Sequence, residues 1–355
     1  MKKLVSLLLA LAMLLSVCAV ASADGAKKVG VAMPTESLQH WNQDGANMKA
    51  QLEAAGYEVD LQYANNDVAL QVSQIENMIL NGAQVLVVAS IDGGALDTVL
   101  AQAKEAGIPV IAYDRLLTGT LNVDYYTTFD NYGVGTIQGT YVKDRFDLDN
   151  AAGPFTIEFT GGAPDDNNAG LFFNGAFDVL KPYLDSGKLV CKSGQTTFET
   201  VATQAWDSAK AQARMDNILS AYYPDALTGG DKLDICLCSN DSTALGVTNS
   251  LVAMGFTAEN IPVITGQDCD IPNTKNMIKG LQAMSVFKDT RALAEQTVKM
   301  VLDIMAGKTP ETNATYANGV KDVPSFNCTP VFADVNNYKE LLLDSGYYTA
   351  EQLAD

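Results

Sequence analysis

The sequence contains little of what a hydrolytic or nucleotide-binding site is commonly built from. Its 355 residues include one histidine, His40, and two tryptophans. A lone histidine is a poor basis for a catalytic triad, and no G-x-S-x-G segment is present. Phosphate loops of the G-x-G-x-x-G or G-x-x-x-x-G-K-[ST] type are also missing. These gaps argue against a serine hydrolase and against nucleotide binding.

Basic residues and cysteines are scarce as well. The chain has 23 basic and 42 acidic residues, a net charge of −19. Such a surface repels phosphate backbones and anionic lipid, so nucleic acid is not expected as a partner. After residue 23 the cysteines are odd in number, which leaves at least one thiol free, and Cys236 and Cys238 have no second pair at metal-ligand spacing. We expect neither a metal nor a cofactor.

The first 23 residues have the pattern of a secretory signal peptide. Lys2 and Lys3 precede an apolar run that ends in a small-x-small cleavage site at residues 21–23. No later stretch is long and apolar enough to span a bilayer. The prediction is an exported protein of the periplasm or the outer face of the cell membrane. Cys18 leaves a lipid-anchored form open, although the branched Val17 replaces the small residue wanted before a lipidated cysteine.

Short apolar runs alternate with longer amphipathic segments along the rest of the chain. This alternation predicts βα units around parallel sheets, and it runs once over residues 28–113 and again over residues 133–266. We therefore predict an α/β fold with two Rossmann-like lobes. The late strand at 283–287 and the segments after it are too few for a third domain, so they must complete these two lobes.

The predicted lobes are each made of two separate pieces of chain, joined by a three-segment hinge. Crossings are expected near residues 129 and 287 and after residue 307. The predicted division is residues 24–129 with 288–322 for the N-terminal lobe, and residues 130–287 with 323–355 for the C-terminal lobe.

Polar and aromatic side chains recur just past the predicted strands. In open parallel sheets ligands bind beyond the carboxyl ends of the strands. Carboxylates and amides bridge vicinal hydroxyls, arginine donates through a planar fork, and indole rings cover the C–H face of a sugar, so the set fits a pyranose. The candidate residues are His40, Trp41, Asp92, Asp114, Arg115, Asp166, Asn167, Asn168, Trp206, Asn240, Asp268 and Lys288.

Each candidate also has a structural interpretation. Asp114 and Arg115 could form a surface ion pair, the tryptophans could be ordinary core, and residues 165–168 could cap a helix. Asp114 and Asp268 could in principle hydrolyse a glycoside, but Arg115 beside Asp114 would keep that carboxyl ionised. A calcium loop at residues 147–150 is rejected, because alanines follow where a ligand and the turn glycine belong.

Several segments resemble the type I periplasmic sugar-binding proteins of ABC transporters, in particular the multiple-sugar receptors and xylose-binding proteins. The resembling motifs include V-I-A-Y-D-R-L from Val110, P-D-D-N-N-A from Pro164, G-Q-D from Gly266 and F-K-D-T-R from Phe287. The likeness spans nearly the whole chain after the leader. It implies two lobes that close over one aldopentose or aldohexose, such as xylose, glucose or galactose.

The resemblance also implies partners and residue roles. The expected partner is the membrane permease of an ABC transporter, with a chemoreceptor or sensor kinase as the alternative, and the protein is expected to be a monomer without enzymatic activity. Hydroxyls of the sugar would be bound from the N-terminal lobe by Asp114 and Arg115, with Lys288 at the hinge and the two tryptophans enclosing the ring. From the C-terminal lobe the ligands would be Asn167 or Asn168, Asn240 and Asp268.

One position departs from the family pattern. The residue before the first tryptophan is usually arginine in these relatives, whereas this chain has His40. Histidine is shorter and can be neutral near pH 7, so we expect altered specificity at that hydroxyl and binding that weakens or shifts in mild acid.

Overall fold

The computed structural model describes residues 27–354, so the predicted signal peptide lies outside the described residues. The strands are β1 Lys28–Met33, β2 Glu58–Tyr63, β3 Val85–Val88, β4 Val110–Tyr113, β5 Tyr125–Phe129, β6 Phe155–Thr160, β7 Leu189–Val190, β8 Ile235–Cys238, β9 Val263–Ile264, β10 Met284–Phe287, β11 Ala314–Ala317, β12 Asp322–Cys328 and β13 Val331–Asp334.

Helices connect most of these strands. They are α1 Gln39–Ala54, α2 Val68–Leu80, α3 Asp97–Glu105, α4 Asn131–Arg145, α5 Asn167–Asp185, α6 Phe198–Val201, α7 Ser208–Tyr222, α8 Asp241–Met254, α9 Ile271–Ile278, α10 Thr290–Met305 and α11 Ala350–Leu353, with a 3₁₀ turn at Gln204–Trp206 and a π-helix at Lys339–Asp344.

The N-terminal lobe contains a seven-stranded sheet with the order β11-β12-β5-β4-β3-β1-β2. All neighbours in it run parallel except β11 and β12. Strands β3 and β4 are continuous apolar runs that are buried along their whole length, as expected where helices cover both faces of a parallel sheet. Two apolar cores, one on each face, hold the helices against it.

The C-terminal lobe contains a four-stranded parallel sheet with the order β7-β6-β8-β9. A parallel bridge between Gln267 and Val286 places β10 beside the residues that follow β9, and β10 pairs in turn with the antiparallel β13. The α/β fold predicted from the sequence is confirmed.

The chain passes between the lobes three times. The passages follow β5, β10 and β12, because α4 packs in the C-terminal lobe, α10 packs against α1 in the N-terminal lobe, and β13 pairs with β10. The predicted return at residue 323 comes too early. Strand β12 pairs in parallel with β5, with Ser325 opposite Tyr126, so residues 323–328 belong to the seven-stranded sheet. The local alternation of residues does not reveal which distant edge strand a late strand will join.

Aspartate and asparagine side chains begin the helices that leave the strand ends. Asp166 caps α5 through the amide of Asn168, and Asn240 caps α8 through the amide of Thr243. Asp130 and Asp289 cap α4 and α10 directly after two of the passages between the lobes. These residues satisfy amides that lack a partner within the helix, and their position puts polar side chains at the cleft.

Within the part of the chain that the structure describes, the cysteines and helices indicate neither a disulfide framework nor a membrane span. Among residues 27–354 no cysteine forms a disulfide, and Cys236 and Cys238 are buried side by side in β8. No helix in this range is long and apolar enough to cross a membrane. The same residues contain no group of three or more His, Cys, Asp or Glu side chains arranged to hold a metal ion.

Candidate functional site

A small cavity lies between the lobes at the carboxyl ends of the strands. Both lobes and the passage after β10 contribute to it. The lining residues are Leu38, His40, Trp41, Asp114, Arg115, Asp166, Phe172, Trp206, Asn240, Gln267, Asp268 and Lys288.

The two tryptophans reach the cavity from opposite lobes. Trp41 is in the first turn of α1, where its ring centroid lies 4.1 Å from that of His40 and 5.1 Å from the guanidinium carbon of Arg115. Trp206 ends the 3₁₀ turn, and its indole Nε1 donates to Asp166 Oδ2 at 3.1 Å. Both are nearly or fully buried, so each ring has a fixed orientation towards the cleft.

Lys288 connects the carboxylates of the two lobes. Its Nζ lies 3.5 Å from Asp114 Oδ2 and 3.5 Å from Asp268 Oδ1. Burial lowers the pKa of Lys288, but the two carboxylates raise it more, so the ammonium stays charged. Burial likewise raises the pKa of Asp114, and Lys288 with His40 and Arg115 lowers it further than that, to below its ordinary value. The three side chains therefore form one buried charged group across the cleft.

Arg115 makes a second contact between the lobes. Its Nη1 donates to the carbonyls of Ser90 and Ile91, which follow β3, at 3.0 and 3.3 Å. Its Nε lies 2.9 Å from Asp166 Oδ2 of the C-terminal lobe, although the N–H is not aligned with that oxygen as a hydrogen bond. Burial raises the pKa of Asp166, and Arg115 opposes that shift only in part.

His40 belongs to a chain of polar groups that runs into the N-terminal lobe. Its Nδ1 lies 3.4 Å from Asp44 Oδ2, one helical turn away, and the other oxygen of Asp44 accepts from the Tyr113 hydroxyl. Burial lowers the pKa of His40, but Asp268 across the cleft and then Asp44 raise it more, and the net direction is above the ordinary value of 6.5. Burial raises the pKa of Asp44, and His40 and the Tyr113 hydroxyl oppose that shift only in part.

The C-terminal lobe contributes a second, more deeply buried set of carboxyl groups. Asp241 is fully buried, and its oxygens accept from Gln282, Ser285 and the Asp270 amide at 2.8–2.9 Å. Burial and then Asp270 and Asp268 raise its pKa well above the ordinary range. Burial and then Asp268 also raise the pKa of Asp270, to about 7. These groups place titrating carboxyls directly behind Asp268.

Three residues of the cavity have unusual backbone conformations. Asp114 and Trp206 have φ of 57° and Asp268 has φ of 99°. L residues adopt this left-handed region rarely, and a bulky residue such as tryptophan does so at a cost of about 1–3 kcal/mol. Such strain persists only where surrounding contacts fix the backbone. Here the left-handed conformation turns the side chains at the strand ends towards the cleft.

Most of the predicted residues meet at the cavity, but three do not line it. Asp92 follows β3 as predicted, yet its Oδ1 accepts from the Gly94 amide at 2.8 Å and serves the turn. Asn167 is exposed as the first residue of α5. Asn168 is buried behind Asp114 and donates to its backbone carbonyl at 2.8 Å, so it positions that residue and does not line the cavity.

The list of candidate residues left out three lining residues, Leu38, Phe172 and Gln267. Gln267 directly precedes Asp268 after a strand, so the strand-end pattern contained the signal for it. Leu38 and Phe172 are apolar residues next to or within amphipathic helices, where nothing in the sequence separates a cavity wall from ordinary core. Phe172 packs its ring 6.1 Å from that of Trp206.

Two α/β lobes, three passages of chain between them and one polar cavity in the cleft define a solute-binding protein of the type I periplasmic class. The chain belongs to the family described as periplasmic binding protein domain, whose model matches residues 29–309. The resemblance predicted from the sequence is confirmed.

Two sugar-binding proteins are similar to this chain over almost its whole length. It is 50% identical to the multiple sugar-binding periplasmic receptor ChvE of Rhizobium radiobacter, over 99% of this chain and 100% of that protein. It is 34% identical to the D-xylose-binding periplasmic protein of Escherichia coli, over 99% and 100% of the two chains. A solved ABC transporter solute-binding protein of Clostridium phytofermentans with bound β-D-glucose is 61% identical, with a TM-score of 0.89 over 92% of this chain and 100% of that one.

Proposed function

We propose that this protein binds one monosaccharide, an aldopentose or aldohexose, in the cleft between its lobes and delivers it to the permease of an ABC transporter. The observation that carries the proposal is the cavity itself, in which charged and amide side chains from both lobes lie between two tryptophans. Gln267 Oε1 and Trp41 Nε1 are buried there without a hydrogen-bond partner in the protein. Buried polar groups need partners, and sugar hydroxyls both donate and accept.

The proposed mechanism is closure of the cleft around the sugar. The contacts of Arg115 with Asp166 and of Lys288 with Asp114 and Asp268 join residues of opposite lobes. A sugar that bonds to both lobes adds contacts that the open form cannot make, so it shifts the equilibrium towards the closed form. The permease then recognises the closed shape.

The proposal includes no chemical change of the sugar. Lys288 between Asp114 and Asp268 keeps the Asp114 carboxyl ionised, which makes this pair unsuited to supply the protonated acid that glycoside hydrolysis requires. The named relatives are binding proteins or receptors. The protein would act as a monomer in the periplasm or at the outer face of the membrane, and presentation to a sensor kinase or chemoreceptor is not favoured.

A thermal-shift panel tests the proposed ligand class. Pentoses, hexoses and uronic acids are compared at equal concentration, and calorimetry then measures the affinity of those that stabilise the protein, since a ligand of the native state raises the melting temperature. The bound sugar is released and analysed afterwards. Recovery of unaltered sugar supports binding without catalysis, whereas the absence of any stabilising monosaccharide would refute the proposal.

Trp206→Ala is expected to weaken sugar binding by about 1–3 kcal/mol, because the C–H face of the sugar loses a ring on which to pack. Titration calorimetry measures the change. Since Trp206 also holds Asp166 through its indole N–H, Trp206→Phe separates the two contributions by keeping a ring without the donor. An unchanged affinity of Trp206→Ala would place this ring in the core.

Sugar affinity is expected to fall as the pH rises from 6 to 8. His40 has a raised pKa in the closed cleft, where Asp268 of the opposite lobe stabilises its charged form, so protonated His40 favours the closed form. The His40 contribution is complete below its ordinary value of 6.5 and is lost as the pH passes its raised pKa. This direction is opposite to the weakening in mild acid that the sequence suggested.

His40→Arg serves as the matched variant, because arginine keeps its charge over this range. Calorimetric titrations from pH 5 to 8 should show a shallower slope for the variant than for the wild type. Identical curves for the two proteins would remove His40 from the binding site.

A further inference from the structure

The C-terminal segment forms a bridge on one side of the cleft, away from the sugar cavity. Its π-helix and α11 pack against the C-terminal lobe, where Leu342 and Leu353 join a buried cluster with Cys269 and Ala333. Two adjacent aromatic residues, Tyr347 and Tyr348, lie between these helices. Anchored in this way, the segment belongs to the C-terminal lobe while its tyrosines face the N-terminal lobe.

The hydroxyl of Tyr348 joins the two lobes directly. It donates to the backbone carbonyl of Cys269 at 2.9 Å and accepts from Gln39 Nε2 of α1 at 2.6 Å. The other end of the same amide, Gln39 Oε1, accepts from the backbone N–H of Ile271 at 3.1 Å. Gln39 is therefore held from both ends by the C-terminal lobe.

Tyr347 repeats the arrangement one helical turn along α1. Its hydroxyl donates to Gln43 Oε1 at 3.1 Å and accepts from the Thr290 hydroxyl at 3.0 Å. Gln43 Nε2 reaches the Tyr348 hydroxyl at 3.4 Å. Because residues 39 and 43 are four apart, both glutamines lie on the same face of α1. The two tyrosines and two glutamines form one hydrogen-bonded patch between the lobes.

The first turn of α1, which contains Gln39, also contributes residues to the wall of the sugar cavity. Gln39 directly precedes His40 and Trp41, which line the cavity, and none of the four patch residues does. Because α1 belongs to one lobe and Ile271 with the C-terminal segment to the other, a rotation that separates the lobes would break these hydrogen bonds. Hydrogen bonds that span the lobes then stabilise the closed form more than the open form.

We propose that Tyr347 and Tyr348 form a latch that holds the first turns of α1 against the C-terminal lobe when the cleft closes. Gln39, Gln43 and the two tyrosines are thus positioning residues for sugar binding that act at a distance from the sugar. This inference rests on the proposed function for its effect on affinity, whereas the effect on cleft opening is independent of any ligand.

Tyr348→Phe tests the latch, because it removes the shared hydroxyl and keeps the ring in the core. A hydrogen bond of this kind is worth enough to change an equilibrium several-fold. We expect the sugar affinity to fall about fivefold, equivalent to about 1 kcal/mol, mainly through faster dissociation measured by stopped-flow fluorescence. Gln39→Ala should give a similar loss, and the double variant should lose less than the sum of the two.

Tyr223→Phe is the matched control. Tyr223 is fully buried, and its hydroxyl donates to Glu158 at 2.9 Å within the C-terminal lobe alone. Tyr223→Phe should lower the melting temperature without changing the sugar affinity or the dissociation rate. If Tyr348→Phe behaves in the same way, with lower stability and unchanged binding, its hydroxyl serves packing only and the latch is refuted.

A measurement without sugar separates the latch from the proposed function. The two tryptophans of the chain are in opposite walls of the cleft, so acrylamide quenching of ligand-free protein reports how often the cleft opens. Stronger quenching in Tyr348→Phe than in wild type and Tyr223→Phe supports the latch even if no tested sugar binds. Equal quenching in all three proteins overturns the latch, even if the wild type binds sugar.

Discussion

Lys288→Met should weaken monosaccharide binding by about a thousandfold at neutral pH. The substitution leaves Asp114 and Asp268 facing each other across the closed cleft without the ammonium that lies 3.5 Å from both. Removal of one member of a buried charged group typically costs about 3–5 kcal/mol, because the remaining charges stay buried and uncompensated. In the open form the two carboxylates separate and regain water. The substitution should therefore lower the sugar affinity more than it lowers the stability of the folded protein. Calorimetry and thermal unfolding measure the two effects.

The pH dependence of this variant provides the internal check. Lys288 is the strongest of the three cations that oppose the effect of burial on Asp114, so its loss should raise the pKa of that carboxyl. The closed variant should therefore take up a proton, and its deficit relative to the wild type should shrink as the pH falls from 7 to 5. Lys288→Arg keeps the charge and should retain much of the affinity. A constant deficit at all pH values would show that Lys288 contributes through direct contact with the sugar alone.

Gly162→Ala should reduce the affinity by about 150-fold, or about 3 kcal/mol. Gly162 follows β6, and a Cβ atom there would overlap the Trp206 ring. The indole must then leave its place in the cleft wall, so binding loses the ring contact, and overpacking adds strain of about 1–3 kcal/mol. Calorimetry gives the affinity, and near-ultraviolet circular dichroism reports the changed environment of the tryptophan.

Gly170→Ala is the control for this substitution. Gly170 lies within α5, and a Cβ atom there would meet nothing within 4 Å. Alanine is the better helix former by about 1 kcal/mol, so this variant should be as stable as the wild type or more so, with unchanged affinity. Wild-type affinity in Gly162→Ala would mean that the indole ring does not shape the cleft.

The sequence was sufficient to predict the α/β class and the two repeated halves, because that information is local. Buried runs such as Val85–Val88 and the amphipathic segments between them repeat in the order that parallel sheets require. The location of the cavity followed from the same pattern, because Asp114, Asn240 and Asp268 come directly after strands. The site residues at strand ends were therefore predictable as a group.

The orientation of individual side chains was not predictable. Asp92 and Asp114 both follow strands, yet Asp92 closes a turn while Asp114 faces the cleft from a left-handed backbone conformation. That conformation depends on tertiary contacts, among them the hydrogen bond from Asn168 to the Asp114 carbonyl. The pairing of Gln39 with Tyr348 joins residues 309 positions apart, which no local pattern can indicate.

The position of β12 in the first sheet affects how the polypeptide must assemble. Strand β5 acquires its outer neighbour from residues that follow almost the entire C-terminal lobe, with Tyr126 paired to Ser325. Contacts this distant in sequence form slowly, because the intervening chain must first be brought together. A nascent chain that lacks its final fifty residues therefore presents an incomplete sheet with an open edge. The seven-stranded sheet can therefore be completed only after the C-terminal lobe has been synthesised.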